Sequence, residues 1–469
     1  PGQSWLDNCV VVNSQDKALL SSPIRPILLA PKKRNAPIAE NVAPMLSDLG
    51  VMLPCSGLHL MLMKQFNRPM IATSGNEYGE PMVTSTSSAQ QQLSMLADFF
   101  VHHNRDICHK LDDSVLRTVM SGAIPFRLGR GLSPLELTLP YDVEEPLIAV
   151  GANQKNTVSF AWKNRLVVTP HIGDLDSPIM QAHFEKCISD FQDLYHVSPQ
   201  RILYDRHPGY ISSRWAKESP LPSSEILHHR AHASAWALSA EVSSPSLVFV
   251  WDGAGIGSNG DLWGGEVFWG SPGNWKRIAS LAPMKLQGGN KVPYQPWRSA
   301  AALAWETSFT EVDLTPFDPE HLSFKAWKNE LNCYFSSSMG RLFDAAAFAC
   351  CEQSEVSYEG QAPMMLESVA STPSKIVPLS LIQKSDDFIL MDWRTMVPDL
   401  FDKTVPAQIR AANFHASLIE TAWELTKRCR KKYDFNHIGL AGGVFQNRIL
   451  CDGLAERFAQ SDIPVVIPS

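Results

Sequence analysis

The sequence predicts a mixed α/β protein in two parts, the second of them internally duplicated. Three observations predict it. Along the 469 residues, short apolar runs of strand length, closed by Gly, Pro or polar turns, alternate with longer helical periodicity. An apolar run that breaks at glycine and resumes occurs at 147–168, and again about a hundred residues later at 247–269. A third glycine turn, Leu440-Ala441-Gly442-Gly443-Val444, follows a long helical stretch at about 407–432.

The elements follow in order. Residues 1–140 read as one α/β unit. Pro26–Ala30 and Gly50–Pro54 are strands, Leu58–Met63 is helical, and Arg68–Thr73 is a further strand ending in the polar turn Ser74-Gly75-Asn76. Ser87–Phe100 reads as an amphipathic helix, and Phe100-Val101 begins another strand. Prolines and the acidic stretch 141–146 mark a linker. Beyond it, Leu147–Val150 is a strand that breaks at Gly151 and resumes as Val158–Trp162. A tight turn at Lys163-Asn164 then leads into Leu166–Val168. In the second copy Leu247–Trp251 is the strand, Asp252–Asp261 the turn and Leu262–Trp269 the return, which divides residues 147–469 at about 245/246. Two such units and a late Gly-Gly turn resemble the duplicated fold of actin, sugar kinases and heat-shock ATPases. Three unrelated glycine loops remain the plain alternative.

Composition narrows the function. Hydrophobic content of 44% and charged content of 19% belong to a globular chain. A net charge of −7 argues against nucleic acid as the main partner. The one dense basic run, Lys427–Lys432, ends a helix, where cations offset the negative dipole end. The nine cysteines contain no C-x-x-C pair and are read as reduced, mostly buried thiols of a cytoplasmic protein. No apolar run approaches the length of a membrane span. The chain starts at Pro1, in mid-domain, and is expected to be part of a longer protein.

The chemistry concentrates at His228-His229-Arg230-Ala231-His232 and Asp252. Histidines four apart share a helix face, and Asp252 ends an apolar run. Two imidazoles and a carboxylate suit iron, zinc or manganese, so His228, His232 and Asp252 are candidate metal ligands, with His229 pointing elsewhere. A satisfied structural histidine pair is the competing reading. Six glycines between Gly253 and Glu266, among them Gly253 and Gly255, suit close approach to phosphate. The turn before Gly340, Arg341 and Asp344 opens a helix whose amides attract anions. There Asp344 could pair with Arg341 or accept from ribose hydroxyls. Ser74 and Asn76 offer hydrogen bonds to phosphate or carbamate oxygens, and Arg127 and Arg130 offer guanidinium forks. His171, Asp174 and His207 sit in polar loops after strands. They are candidate catalytic residues, with orientation of substrate or of other groups as the favoured role.

Taken in order, these motifs resemble one family, the carbamoyltransferases of nickel–iron hydrogenase maturation known as HypF. The match includes Thr73-Ser74-Gly75-Asn76, His171 to Leu175, His207 to Tyr210, His228 to His232, Asp252 through Trp263-Gly264-Gly265-Glu266, Gln295-Pro296-Trp297-Arg298, Gly340 to Ala345, Tyr358-Glu359-Gly360 and Gly442 to Arg448. The resemblance implies a partial YrdC-like α/β domain at 1–140, making carbamoyl-adenylate from ATP and carbamoyl phosphate. It implies a duplicated actin-like domain at 147–469, passing the carbamoyl group to the C-terminal cysteine of a HypE-like acceptor for cyanide-ligand synthesis. It also implies a divalent metal (iron or zinc, with magnesium on ATP) at His228, His232 and Asp252. Ser74 and Asn76 would serve the YrdC-like site, and Arg341, Asp344, Gly442, Gly443 and Asn447 the nucleotide of the actin-like site.

Family members also carry an acylphosphatase-like domain, a zinc-binding cysteine region and a late Asp-Gly-Gly turn that this sequence does not contain. Leu128 and Ala441 stand where a polar residue is usual. The chain alone is therefore expected to show weak or no full-cycle activity. Threonylcarbamoyl transfer to tRNA and a non-catalytic docking fragment are the alternatives.

Overall fold

The computed structural model describes residues 3–77, 79–120, 122–318, 320–459 and 463–466. The chain forms two compact units. One comprises Pro1–Ile38, Leu49–Arg117 and Pro125–Ile226; the other comprises Ala39–Asp48, Thr118–Ile124 and Leu227–Ser469.

Strands β1 (Ile27–Pro31), β2 (Asp48–Val51), β3 (Val115–Val119) and β4 (Gly122–Arg127) form a sheet of order β2-β1-β3-β4, with β1 parallel to β3. Leu28, Ala30 and Leu116 bury against Cys9, Val10 and Leu20. Helices Gly57–Phe66 and Thr86–Leu93 start where Ser56 and Ser85 accept from the amides of His59 and Ser88. Neither helix buries a side chain. The strands expected over 68–73 and from 100 do not form, and the helix expected to reach 100 ends at Leu93. An apolar run becomes a strand only when a neighbour accepts its ladder bonds, and no ladder partner engages these residues.

The first unit's second sheet holds β5 (Leu135–Ala149), β6 (Ser159–Val168), β7 (Arg201–Asp205) and β8 (Ser223–Ile226) in the order β6-β5-β7-β8. β5 is antiparallel to β6 and parallel to β7, and β7 is parallel to β8. Residues 141–146, expected as a linker, lie inside β5. The turn expected at Lys163-Asn164 is likewise absent, because β6 runs straight through it. Register shifts after Thr138 and Val143, with Lys163 at φ 51°, absorb the mismatch as bulges.

In the second unit a nine-stranded sheet contains β9 (Ser246–Ile256), β10 (Leu262–Gly270), β11 (Lys276–Leu281), β12 (Met284–Gln287), β13 (Cys333–Ser336), β14 (Ser380–Ser385), β15 (Phe388–Asp392), β16 (His437–Ala441) and β17 (Val465–Val466). Its order is β14-β15-β11-β10-β9-β16-β17, with β13 paired to β10 and to β12. Within it β9 is antiparallel to β10 and parallel to β16, and β16 is parallel to β17. The segment β10-β9-β16-β17 thus repeats the order and directions of β6-β5-β7-β8. The crossover helices repeat too: Pro178–Tyr195 and Ile211–Glu218 in one copy, Ala407–Arg430 and Arg448–Phe458 in the other. The duplication read from glycine turns is therefore real at the level of topology. Helix Met339–Cys351 is buried from Met339 to Cys350 and forms the centre of the second unit's core.

Candidate metal centre

Strand β9 is buried from Ser246 to Trp251 and opens at Asp252. Helix His228–Ser239, rich in the good helix former Ala, buries His229, Ala233, Trp236 and Ala237 along one stripe. That leaves His228 and His232 on the adjoining face. His228 Nε2 and His232 Nε2 lie 3.3 and 3.1 Å from Asp252 Oδ2, and 3.2 Å from each other. Among the described residues this is the one group of three or more His, Cys, Asp or Glu whose donor atoms converge for a metal ion.

The spacing fits a metal. Donors about 2.0–2.1 Å from a tetrahedral ion stand roughly 3.3 Å apart, as these three do. The carboxylate is oriented as a ligand should be: Oδ1 accepts from the amides of Gly253 (2.8 Å) and Gly443 (3.1 Å), leaving Oδ2 toward the imidazoles. Burial opposes ionisation of Asp252, but the two imidazoles outweigh it and hold the carboxyl well below its usual range. His229 points into the core, as expected, with neither ring nitrogen hydrogen-bonded, and burial depresses its pKa well below the ordinary value.

Glycine permits this convergence. A Cβ on Gly255 would stand 2.8 Å from both His228 Cβ and His229 Cε1. On Gly264 it would stand 2.7 Å from Asp252 O and 2.9 Å from Ser338 Cα. The hairpin must be bare here for the helix and the serine turn to close on it. Ser338 caps helix Met339–Cys351 by accepting from the Arg341 amide at 3.1 Å, and its hydroxyl donates to Gly253 O. Gly340 brings the helix start against the hairpin, 3.0 Å from Gly253 Cα to a Cβ placed there. Beneath, buried Glu266 accepts from Arg277 and from Ser337 Oγ, locking β10 to the serine turn.

One turn into that helix, Arg341 Nε lies 3.2 Å from Asp344 Oδ2, and Nη2 lies 3.3 Å from Glu359 Oε1. The Arg341–Asp344 contact has ion-pair distance without hydrogen-bond geometry, so Arg341 Nε and Nη1 and Asp344 Oδ2 remain buried without hydrogen-bond partners. Burial raises the Asp344 carboxyl to about 6, with Arg341 working against it. Polar groups so exposed to an unmet hydrogen-bond demand are suited to a polar ligand.

The other expected residues fall into separate networks. Gly442, at φ 95°, packs on Trp251 O, and Gly443 holds Asp252 as described. Asn447 is committed elsewhere: Oδ1 caps helix Arg448–Phe458 through Leu450 N at 3.0 Å, and Nδ2 meets His415 Nε2 at 2.9 Å. In the first unit, His171 Nδ1 pairs with Asp112 Oδ2 at 2.8 Å. Burial opposes ionisation of Asp112, yet His171 and Arg127 keep it below its ordinary range. Asp174 accepts from Lys155 N at 2.7 Å. His207 accepts from Gly209 N at 3.1 Å and stacks on Tyr210. Arg130 bonds Asp113 and the carbonyls of Ile24 and Arg25, a cross-link rather than an open fork. Arg127 Nε bonds Asp113 O. Asn76 closes its own turn onto Glu77 O and Glu80 O, while Ser74 is exposed.

Comparison with known proteins decides what this architecture belongs to. A family model described as "HypF Kae1-like domain" matches residues 142–239, and one described as "Carbamoyltransferase, Kae1-like Domain, second subdomain" matches 248–469. A Sua5/YciO/YrdC model described as "Telomere recombination" matches 4–129. The crystal structure of a full-length HypF in the phosphate- and nucleotide-bound form superposes with a TM-score of 0.94 at 30% identity, covering 99% of this chain and 74% of that one. The chain belongs to the HypF family. Carbamoyltransferase HypF of Synechocystis sp. is 34% identical over 460 residues, 93% of this chain and 59% of its own length. HypF of Rhizobium leguminosarum bv. viciae is 31% identical over 97% of this chain and 61% of its own. The chain thus spans about three fifths of these HypF proteins.

Sequence reasoning did not assign Glu359, Ser338, Glu266 or Asp112 to the sites they build. Glu359 and Glu266 stand in motifs that it noted, Tyr-Glu-Gly and Trp-Gly-Gly-Glu. Asp112 is 59 residues from its partner His171, a separation that carries no local signal. All nine cysteines are free, but only Cys9, Cys350, Cys429 and Cys451 are fully buried, fewer than expected. No helix among the described residues is long and apolar enough to cross a membrane.

Proposed function

We propose that the chain serves ATP-dependent carbamoyl transfer. On this reading residues 1–140 belong to the part that forms carbamoyl-adenylate from carbamoyl phosphate and ATP. Residues 147–469 pass the carbamoyl group to the C-terminal cysteine of a HypE-like acceptor. The observation that carries it is the His228–His232–Asp252 cluster beside the buried Arg341–Asp344 pair and half-buried Glu359, in a unit matched by a carbamoyltransferase model.

In the transfer, the acceptor thiolate forms a bond to the carbamoyl carbon. The bond from that carbon to the AMP phosphate oxygen breaks, and AMP leaves. Arg341 supplies positive charge to the phosphate, and Asp344 accepts from ribose hydroxyls. His228, His232 and Asp252 would hold a divalent metal, iron or zinc, whose charge would offset that of phosphate oxygens. The Asp252 carboxylate stays ionised and fixed by two backbone amides, so the donor set is formed in advance of binding.

The test incubates the protein with ATP, carbamoyl phosphate and an acceptor protein ending in cysteine, without tRNA, and reads the acceptor by mass spectrometry. Weak carbamoylation of the C-terminal cysteine is expected, ATP-dependent and lost with His228→Ala. Acceptor binding with no modification would point to a docking role instead, and a requirement for tRNA would move the chain to the threonylcarbamoyl reaction.

A further inference from the structure

The Gln-Pro-Trp-Arg motif, 295–298, takes no part in the metal centre, yet its Arg298 lines a cavity of about 320 Å³ in the second unit. Arg298 forms one wall. Its guanidinium lies over the Trp297 ring at 4.4 Å, and Gly288 opposite is bare because a Cβ there would stand 2.8 Å from Arg298 Cδ. Gly288 takes φ 124°, a conformation that glycine alone adopts freely.

Among the described residues the hydrogen bonds of Arg298 all go to neutral groups. Nε donates to Gln295 Oε1 at 2.6 Å, and Nη1 donates to Gln287 Oε1 at 2.7 Å and Ser323 Oγ at 3.4 Å. Nη2 has no hydrogen bond among the described residues, and Arg298 forms no ion pair there. The acid whose field reaches it, Asp318, spends its two oxygens on the amides of Ser323 and Phe324, each at 3.0 Å. Burial lowers the Arg298 pKa, as an under-compensated cation requires. A second cation, Lys291, lines the same cavity and likewise makes no ion pair among the described residues.

A half-buried guanidinium with its fork fixed, one nitrogen open and no carboxylate bound is preorganised to take a counter-charge. Two cations facing one cavity supply the geometry for it, and the volume suits a small molecule. We infer that this cavity is an oxyanion site, taking a phosphate or carboxylate group of a small ligand on Arg298 and Lys291.

Equilibrium dialysis of the intact protein against labelled inorganic phosphate, and separately against labelled acetate, tests it in wild type, Lys291→Gln and Arg298→Gln. The wild type is expected to bind one more oxyanion equivalent than either variant, with affinity at that site falling by roughly 10-fold or more on each substitution. Phosphate taken up in preference to acetate identifies a phosphoryl ligand, and the reverse a carboxylate. Lys291 is exposed, so Lys291→Gln decides the matter even where Arg298→Gln disturbs the fold. Equal uptake by wild type and Lys291→Gln of both anions overturns the site.

Discussion

Gly255 decides whether His228 and His232 can reach Asp252. Its missing side chain is the space that His228 Cβ and His229 Cε1 occupy, each 2.8 Å from where a Cβ would sit. Neither neighbour is a flexible tip. His228 is anchored at the helix start, and His229 is fully buried. Gly255→Ala should therefore push helix His228–Ser239 off β9 and spread the three donors. Metal content by elemental analysis, after dialysis against limiting metal, should show affinity reduced by about 10- to 100-fold, the range typical of lost support around a ligand. Full metal retention in Gly255→Ala would mean that the histidines are not held by this contact. At this scale the converging trio was legible, because i,i+4 histidines and a strand-end aspartate have local signatures. Their supports were not: Glu266 and Ser338 act across turns that no spacing rule joins.

Among elements, the join between helix Ala407–Arg430 and helix Arg448–Phe458 shows how one side chain can carry a structural role that sequence does not announce. Asn447 follows a Gly-Gly turn and reads as a nucleotide contact, yet it caps the second helix and bonds His415 of the first. Its partner must be neutral. His415 Nδ1 donates to Ala411 O at 2.7 Å, so Nε2 is left to accept from the Asn447 amide. Burial accordingly lowers the His415 pKa to about 4 from 6.5, against the pull of the Ala411 carbonyl. The unfolded chain then binds the proton more readily than the folded one, so this neutral imidazole contributes stability in full above pH 6.5. The contribution fades as pH falls through that value toward 4, by roughly 3 kcal/mol in all. His415→Gln should flatten the stability curve between pH 6.5 and 4, which urea titrations at several pH values would reveal. An unchanged slope would show that other groups govern acid unfolding. Strand pairing was the other blind spot. The apolar run 68–73 has strand composition without a ladder partner, whereas β6 continues through Lys163-Asn164 because β5 supplies one. Pairing is a property of two segments, and periodicity reports on only one.

For the whole molecule, the two compact units carry separate apolar cores, and all three candidate metal ligands lie in the second. The helix bearing the histidines is tied into that unit's sheet. Trp236 Nε1 donates to Val466 O at 2.8 Å, and Trp236 fills the space over Gly439 on β16. A metal on His228, His232 and Asp252 therefore cross-links helix to sheet inside one unit and adds nothing within the cores of the other. Ligand linkage sets the size of the effect: a metal at about 100 times its dissociation constant stabilises the state that binds it by roughly 2.7 kcal/mol. For a unit of this size that corresponds to about 5–10 °C. Calorimetry of the metal-loaded protein before and after chelation should show the higher-enthalpy transition, that of the larger unit, falling by this amount while the other stays in place. His228→Ala should start at the chelated value and not respond to chelator. A shift of both transitions together would mean that the units unfold as one, and a shift of neither would remove the metal from the account of this fold.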